Sequence, residues 1–144
     1  METPNHSVIR TLGLLAGTAG AVAGLDLAHK AFSISEQNGA VFSHDRSGLY
    51  LAGGAAAALV WAGAVARVRS TSIAIAGGIV LGGAIGNLVS IALWPSLPGV
   101  PDPLVAGGVA FNIADVAVAV GFVLLLPATV VFGLQNRDRL FDPV

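Results

Sequence analysis

Two aspartates in the last third of the chain, Asp102 and Asp115, lie thirteen positions apart, and Asn112 comes one helical turn before the second of them. Two carboxylates that share a site cannot both ionise easily, so one keeps a proton while the other is a base. Such a pair can activate a water molecule and protonate a leaving amine, which is the chemistry of an aspartic peptidase. A polar plug inside a helical bundle would use the same residues, and the spacing alone leaves both interpretations open.

The surroundings of Asp115 are apolar, since residues 116–133 carry no charge. An ionised carboxylate in such a setting costs several kcal/mol unless it is paired or neutralised. Asp102 is the best candidate partner because it lies in a loop, residues 94–104, that contains four prolines and is therefore stiff and non-helical. We expect this loop to turn back over the helix entrance and to bring the two acids together.

Further polar residues occur at the ends of apolar stretches. Asp26 and Lys30 are four positions apart, so they share a helix face and are expected to form a structural ion pair, with Lys30 extending outward to the membrane boundary. Asn87 and Asn112 lie on two different predicted helices. An amide on each helix could join the two by hydrogen bonds, which would by itself be a structural role.

The composition is that of a membrane protein. Only 10% of the 144 residues are charged, 55% are hydrophobic, and the mean hydropathy is +0.82. The net charge of −1 provides no basic surface for nucleic acid. The absence of cysteine excludes disulfides and a thiolate nucleophile, and the three histidines at positions 6, 29 and 44 lack metal-site spacing, so no cofactor is expected.

The apolar stretches predict an all-α fold, a bundle of four transmembrane helices that forms a single membrane domain over residues 1–144. The predicted spans are residues 11–32, 49–66, 71–94 and 104–134, with outer loops at 33–48 and 95–103. Each span is near or above the length of about 20 residues that a membrane-crossing helix needs. Strands are disfavoured because the runs are long and do not alternate. A cleaved signal peptide ending at Ala21-Val22-Ala23 is the competing interpretation of the first span.

The basic residues predict the orientation. Those on one side of a four-span chain are Arg10, Arg67, Arg69, Arg137 and Arg139, and those on the other are Lys30 and Arg46. The excess of basic residues on one side, five against two in short loops, predicts that both termini and the turn at 67–70 are in the cytoplasm. The acids and Lys30 then gather toward the outer end of the bundle.

Small residues recur every four positions in two of the predicted helices. The first set is Gly13, Gly17 and Ala21, and the second is Gly78, Gly82 and Gly86. Small residues at this spacing let helix backbones approach closely in lipid, so both sets are expected to form helix contacts in a tight bundle.

Five short blocks resemble one known family. They are "DLAHK" at 26–30, "NGAVF" at 38–42, "GGAIGN" at 82–87, "GVPD" at 99–102 and "FNIAD" at 111–115. Their order and content resemble the lipoprotein signal peptidases (signal peptidase II), which are small four-helix membrane aspartic peptidases. The last two blocks are similar to those that carry the family's two catalytic aspartates, which identifies Asp102 and Asp115 as the matching residues.

The sequence also departs from the family pattern. The Asp-Arg pair that usually follows the GN block is replaced by Ser90 and Ile91. The glutamine of the first block is Leu27, the outer-loop asparagine is shifted to Asn38, and the residue after the first aspartate is Pro103. The missing Asp-Arg pair is the most consequential change because it removes an ionic contact from the third helix.

The resemblance implies an enzyme of the bacterial inner membrane that cuts a prolipoprotein before its diacylglyceryl-modified cysteine, with membrane lipids around it and no cofactor. Asp102 and Asp115 would activate water, and Asn87, Asn112 and Asn38 would orient carboxylates or substrate. The loop at 33–48 would cover the site.

Two alternatives stay open from the sequence. One is a catalytically inactive relative that binds lipoprotein signal helices or a membrane-protein partner, which Ser90 and Ile91 would favour. The other is an unrelated small bundle that serves as a subunit. Retention of both aspartates favours the active enzyme.

Overall fold

The apolar stretches form helices in a computed structural model, which describes residues 4–37, 39, 41–45 and 48–137. Within these residues the helices are α1 (Pro4–Glu36), α2 (Gly48–Val68), α3 (Thr71–Leu93) and α4 (Ile113–Gln135). Four short strands connect them, namely β1 (Ser43–His44), β2 (Val100–Pro101), β3 (Leu104–Ala106) and β4 (Val109–Phe111). The strands form two antiparallel pairs, β1 with β2 and β3 with β4.

Helix α3 lies at the centre and packs against the other three helices. Its small residues make this possible, since a methyl group at Gly83 would come within 2.5 Å of the Ala114 carbonyl oxygen of α4. The buried apolar cluster is built around α3 and comprises Leu15, Ala19, Val65, Ile73, Ala74, Ala76, Val80, Leu81 and Leu125. The bundle is therefore held both by close approach of helix backbones and by an apolar core of aliphatic side chains.

Three helical segments have the length and hydropathy of a membrane span, namely Val8–Glu36, Thr71–Leu93 and Ile113–Gln135. Helix α2 contains a shorter apolar segment, Ala52–Val65. Large apolar side chains such as Leu126 of α4 are exposed on the outside of the bundle. An apolar exterior of this kind is expected where lipid rather than water surrounds the helices.

The predicted start of the fourth span at residue 104 is wrong. Residues 104–111 form the β3–β4 hairpin, and its two-residue turn is Gly107-Gly108, with φ angles of 58° and 80°. Positive φ at both central residues is what a tight hairpin turn of the primed type requires, and glycine adopts it without strain. Helix α4 begins only at Ile113, after the cap residue Asn112. Hydropathy alone did not separate an apolar hairpin from the start of an apolar helix.

The predicted spans also differ from the helices at other ends. Helix α1 extends beyond the predicted span 11–32 in both directions. The outer loops at 33–48 and 95–103 contain β1 and β2, which pair with each other, so the general expectation against strands does not hold outside the helices. Short strands form there because the two loop segments satisfy each other's backbone groups at the end of the bundle.

Only one of the two small-residue sets makes a helix contact. A methyl group at Gly82 would lie 2.6 Å from the Ala19 carbonyl oxygen of α1, whereas nothing lies within 4 Å of the equivalent position at Gly13 or Gly17. The prediction that the glycines of α1 pack against another helix is therefore wrong. The buried face of α1 instead includes Leu15 and Ala19 and continues toward Asp26 and Lys30.

We predict that Gly82→Ala lowers the stability of the bundle by about 1–3 kcal/mol, because the added methyl group overpacks the contact between α1 and α3. Thermal unfolding of the purified protein in detergent micelles measures this. Gly17→Ala is the matched control, and it should leave the midpoint unchanged or raise it slightly, since alanine has the higher helix propensity. Equal midpoints for the two variants would contradict the packing described here.

Candidate active site

The polar residues meet where α1 and α3 end and α4 begins. Asp115 lies in the first turn of α4, and its backbone N–H donates to Oδ1 of Asn112 over 2.9 Å. In return, the backbone N–H of Asn112 donates to Oδ2 of Asp115 over 3.2 Å. This reciprocal capping box starts the helix and fixes the side chain of Asp115; caps of this kind contribute about 1 kcal/mol.

The side chain of Asn112 also contacts the other aspartate. Its Nδ2 donates to Oδ1 of Asp102 over 2.5 Å and to the Pro101 carbonyl oxygen over 3.3 Å. Asp102 follows β2, and its backbone N–H donates to the Phe42 carbonyl oxygen over 2.7 Å. The two acids therefore lie on either side of one buried asparagine. Asp102 is almost fully buried and Asp115 is half-buried.

A chain of hydrogen bonds continues from Asp115 to α3 and α1. Nδ2 of Asn87 donates to Oδ1 of Asp115 over 3.0 Å, and Lys30 Nζ donates to Oδ1 of the same asparagine over 2.9 Å. Lys30 is in turn 2.7 Å from Oδ2 of Asp26. The side-chain amide of Asn87 thus links Lys30 on α1 to Asp115 on α4 through two hydrogen bonds.

The ion pair of Asp26 and Lys30 lies inside the bundle. Both side chains are fully buried, so the expectation that Lys30 extends outward to the membrane boundary is wrong. The ammonium group points inward because it contacts Asp26 and Asn87 there. A buried cation is tolerated only where such partners surround it.

Asp26 has a second contact that ties helices together. Its Oδ1 accepts a hydrogen bond from the backbone N–H of Ala114 over 2.9 Å, at the start of α4. Its other oxygen lies where a methyl group at Gly86 would stand, so the glycine of α3 makes room for the carboxylate. One aspartate on α1 therefore positions both α3 and α4 relative to the site.

Sequence reasoning did not find His44. Its Nδ1 is in contact with Oδ2 of Asp102, across the β1–β2 pair. The histidine is 58% exposed, whereas Asp102 is 1% exposed, so the imidazole lies between the acid and the exterior. Its only signal in the sequence was its position within the predicted outer loop at 33–48, because the pairing of β1 with β2 is a tertiary feature.

A cavity of about 300 Å³ opens beside Asp115 and Asn87. Its other walls are mostly apolar and come from α2, α3 and α4, namely Tyr50, Gly54, Ala84, Leu88 and Val118. The space is large enough for a water molecule together with part of a peptide segment. Within the described residues no group of three or more His, Asp or Glu side chains is placed to hold a metal ion.

Comparison with known proteins decides the family. Residues 14–131 match the family model described as signal peptidase (SPase) II, which is more than half of the chain. The chain belongs to the signal peptidase II family. No curated protein and no solved structure matches it. The match supports a multi-pass membrane protein of the aspartic protease type, and the interpretation as an unrelated bundle is wrong.

The departures from the signal peptidase II pattern can now be placed. Ser90 is buried, and its hydroxyl donates to the Asn87 carbonyl oxygen over 2.8 Å, so it bonds within its own helix rather than across to another. Lys30 is the residue of α1 that contacts Asn87 from outside α3. Asn38, the predicted outer-loop residue, lies outside the described residues. The family match gives no support to the alternative of an inactive relative.

We predict that Asp26→Asn destabilises the protein strongly, because it leaves the buried Lys30 without its counter-charge; loss of one partner of such a pair costs about 3–5 kcal/mol. The amide oxygen of the new asparagine can still accept the hydrogen bond from the Ala114 N–H. The loss of stability therefore measures the effect of the missing negative charge. Adding Lys30→Met should restore part of the stability, as measured by thermal unfolding in detergent.

Glu36→Gln, which changes an exposed carboxylate at the end of α1, is the control and should leave the unfolding midpoint unchanged. If the double variant is no more stable than Asp26→Asn alone, the uncompensated lysine is not the cause of the loss.

Proposed function

We propose that the protein is an active signal peptidase II that cleaves bacterial prolipoproteins before a diacylglyceryl-modified cysteine and releases the signal peptide. Asp102 and Asp115 are the catalytic pair in this proposal. The observation that carries it is that both carboxylates hydrogen-bond to the same asparagine, Asn112. The Asp102 carboxylate accepts from the side-chain amide of Asn112 and the Asp115 carboxylate from its backbone N–H, which supports a site in which the two acids share one proton.

The proposed reaction needs no group beyond the two acids and water. The ionised carboxylate takes a proton from water, and the hydroxide oxygen bonds to the scissile carbonyl carbon while the protonated acid gives its proton to the carbonyl oxygen. Collapse of the tetrahedral intermediate breaks the C–N bond, the proton taken from water passes to the leaving nitrogen, and one hydroxyl proton of the intermediate returns to the carboxylate that had protonated the carbonyl oxygen. The products are a new carboxylate on the signal peptide and a free amine on the lipid-modified cysteine.

The neighbouring asparagines support this chemistry in the proposal. Asn112 orients both acids, and Asn87 holds Asp115 on the side facing the cavity. Amide donors fix a carboxylate without adding a second titrating group, so the shared proton stays between the two acids. The proposed roles of Asn38 and of the loop at 33–48, which would orient and cover the substrate, rest on the family resemblance.

The cavity suggests how the substrate enters. Most of its walls are apolar, and Asp115 lies on one of them. A signal helix in the bilayer could place its cleavage segment there from the side without leaving the lipid. An apolar peptide segment beside a half-buried carboxylate also keeps bulk water away from the reacting groups, which strengthens their electrostatic interactions.

We further propose a single domain over residues 1–144 that crosses the bacterial inner membrane four times. In this proposal α2 crosses the membrane in addition to the three longer apolar helices, and both termini are in the cytoplasm. Arg67 lies in the last turn of α2 and Arg69 between α2 and α3, at the end of the bundle opposite the acids, and Arg137 follows α4. Basic residues at that end are favoured on the cytoplasmic side. The site then faces outward, where lipid-modified precursors emerge.

We predict that Asp102→Asn and Asp115→Asn each lower kcat for cleavage of a lipid-modified prolipoprotein by at least about a hundred-fold, because an amide can neither take nor give the shared proton. The assay uses the purified protein in detergent with a diacylglyceryl-modified precursor, and product is followed by gel mobility. Thermal unfolding of each variant checks that the bundle remains folded.

Arg67→Gln changes an exposed charged residue at the end of the bundle opposite the acids and serves as the control, with activity expected to equal that of the wild type. A folded Asp115→Asn variant that cleaves at the wild-type rate would contradict the dyad. Equal cleavage of the modified and unmodified precursors would contradict the proposed substrate class.

A further inference from the structure

The pairing of β1 with β2 brings an imidazole to one of the two acids. In the antiparallel register His44 is opposite Val100 and Ser43 is opposite Pro101, which places Phe42 opposite Asp102. The hydrogen bond from the Asp102 N–H to the Phe42 carbonyl oxygen extends this register by one residue. Side chains two positions apart point to the same face of a strand, so His44 and Asp102 are diagonal neighbours on one face.

The backbone of His44 is held close to the opposite segment. Gly99 has a φ angle of 151°, and a methyl group there would lie on the His44 carbonyl oxygen, so only glycine allows this approach. The pairing of the two backbone segments therefore places the imidazole next to Asp102.

The two oxygens of Asp102 have different partners. Oδ1 accepts from the neutral amide of Asn112, whereas Oδ2 faces Nδ1 of His44. In Asp115 the corresponding partners are the amide of Asn87 and the backbone N–H of Asn112, which are both neutral. Among these hydrogen-bond partners, the imidazole is the titratable one, and it contacts Asp102.

Among the described residues, the other titratable or charged groups around this end come from Asp45, which follows His44, and from three helices. Helix α1 supplies Asp26, His29 and Lys30, α2 supplies Tyr50, and α4 supplies Asp115, while the sequence of α3 contains none. Lys30 is linked to Asp115 through Asn87.

We propose that His44 is a positioning residue that donates a hydrogen bond from Nδ1 to Oδ2 of Asp102 and so makes Asp102 the ionised member of the pair. Asp115 then carries the shared proton and is the acid. A donor bound to a carboxylate favours its charged form, and an imidazolium favours it further. This inference rests on the proposed peptidase function, because it assigns base and acid within that dyad.

The test compares three replacements of His44 in the full-length protein. His44→Asn keeps a neutral donor near the place of Nδ1, His44→Phe keeps a ring without a donor, and His44→Ala removes both. Cleavage of the lipid-modified precursor is measured as kcat and KM across pH. Arg67→Gln, an exposed residue at the end of the bundle opposite the acids, is the control and should match the wild type.

We expect His44→Ala and His44→Phe to lower kcat on the order of ten-fold with little change in KM, which corresponds to the loss of one hydrogen bond to a charged group. The acidic limb of the kcat/KM profile should move to higher pH, because the base is harder to ionise without the donor. His44→Asn should restore most of kcat. If His44→Phe is as active as the wild type, or if His44→Asn is no better than His44→Phe, the proposal is overturned.

A second measurement separates this inference from the peptidase proposal. The ring nitrogens of ¹⁵N-labelled histidines are observed by NMR in micelles, with His44→Asn identifying the His44 signals. Asp102→Asn should change those signals and Arg67→Gln, at the opposite end of the bundle, should not, whether or not the protein cleaves any precursor. Unchanged His44 signals in Asp102→Asn overturn the inference, whereas absence of cleavage by the wild type overturns only the peptidase proposal.

Discussion

The interaction on which the rest of the structure depends is the buried contact of Lys30 with Asp26 and Asn87. A cation in an apolar bundle is stable only with a full set of partners, and those partners come from two helices. Asp26 reaches the start of α4 through the Ala114 N–H, so the same contact sets the position of a third helix. The position of α4 in turn determines where its cap residue Asn112 and its acid Asp115 lie.

The arrangement shows why small residues surround the polar cluster. Gly86 leaves room for the carboxylate of Asp26, and Gly83 lets the first turn of α4 approach α3. Hydrogen bonds of 2.9–3.0 Å between side chains on different helices require backbones this close. The glycines of α3 therefore contribute to the site as well as to packing, because larger residues would separate the amide of Asn87 from its partners.

The network also bears on the loss of the family's Asp-Arg pair. Ser90 bonds within its own helix, and Ile91 carries no polar group. Asn87 is nevertheless held from α1 by Lys30 and from α4 by Asp115. The amide is thus held by contacts between helices that do not involve positions 90 and 91, so its placement does not depend on that pair.

The sequence by itself determined the helical membrane class, the family, and the residues that gather at one end, since these depend on composition and on short blocks such as 111–115. It did not determine where α4 begins, because hydropathy is the same for an apolar hairpin and an apolar helix. It also did not show that Lys30 turns inward or that His44 meets Asp102. Those outcomes depend on strand register and on which helices lie side by side, and only the tertiary structure decided them, because residues far apart in the chain must first be brought into contact.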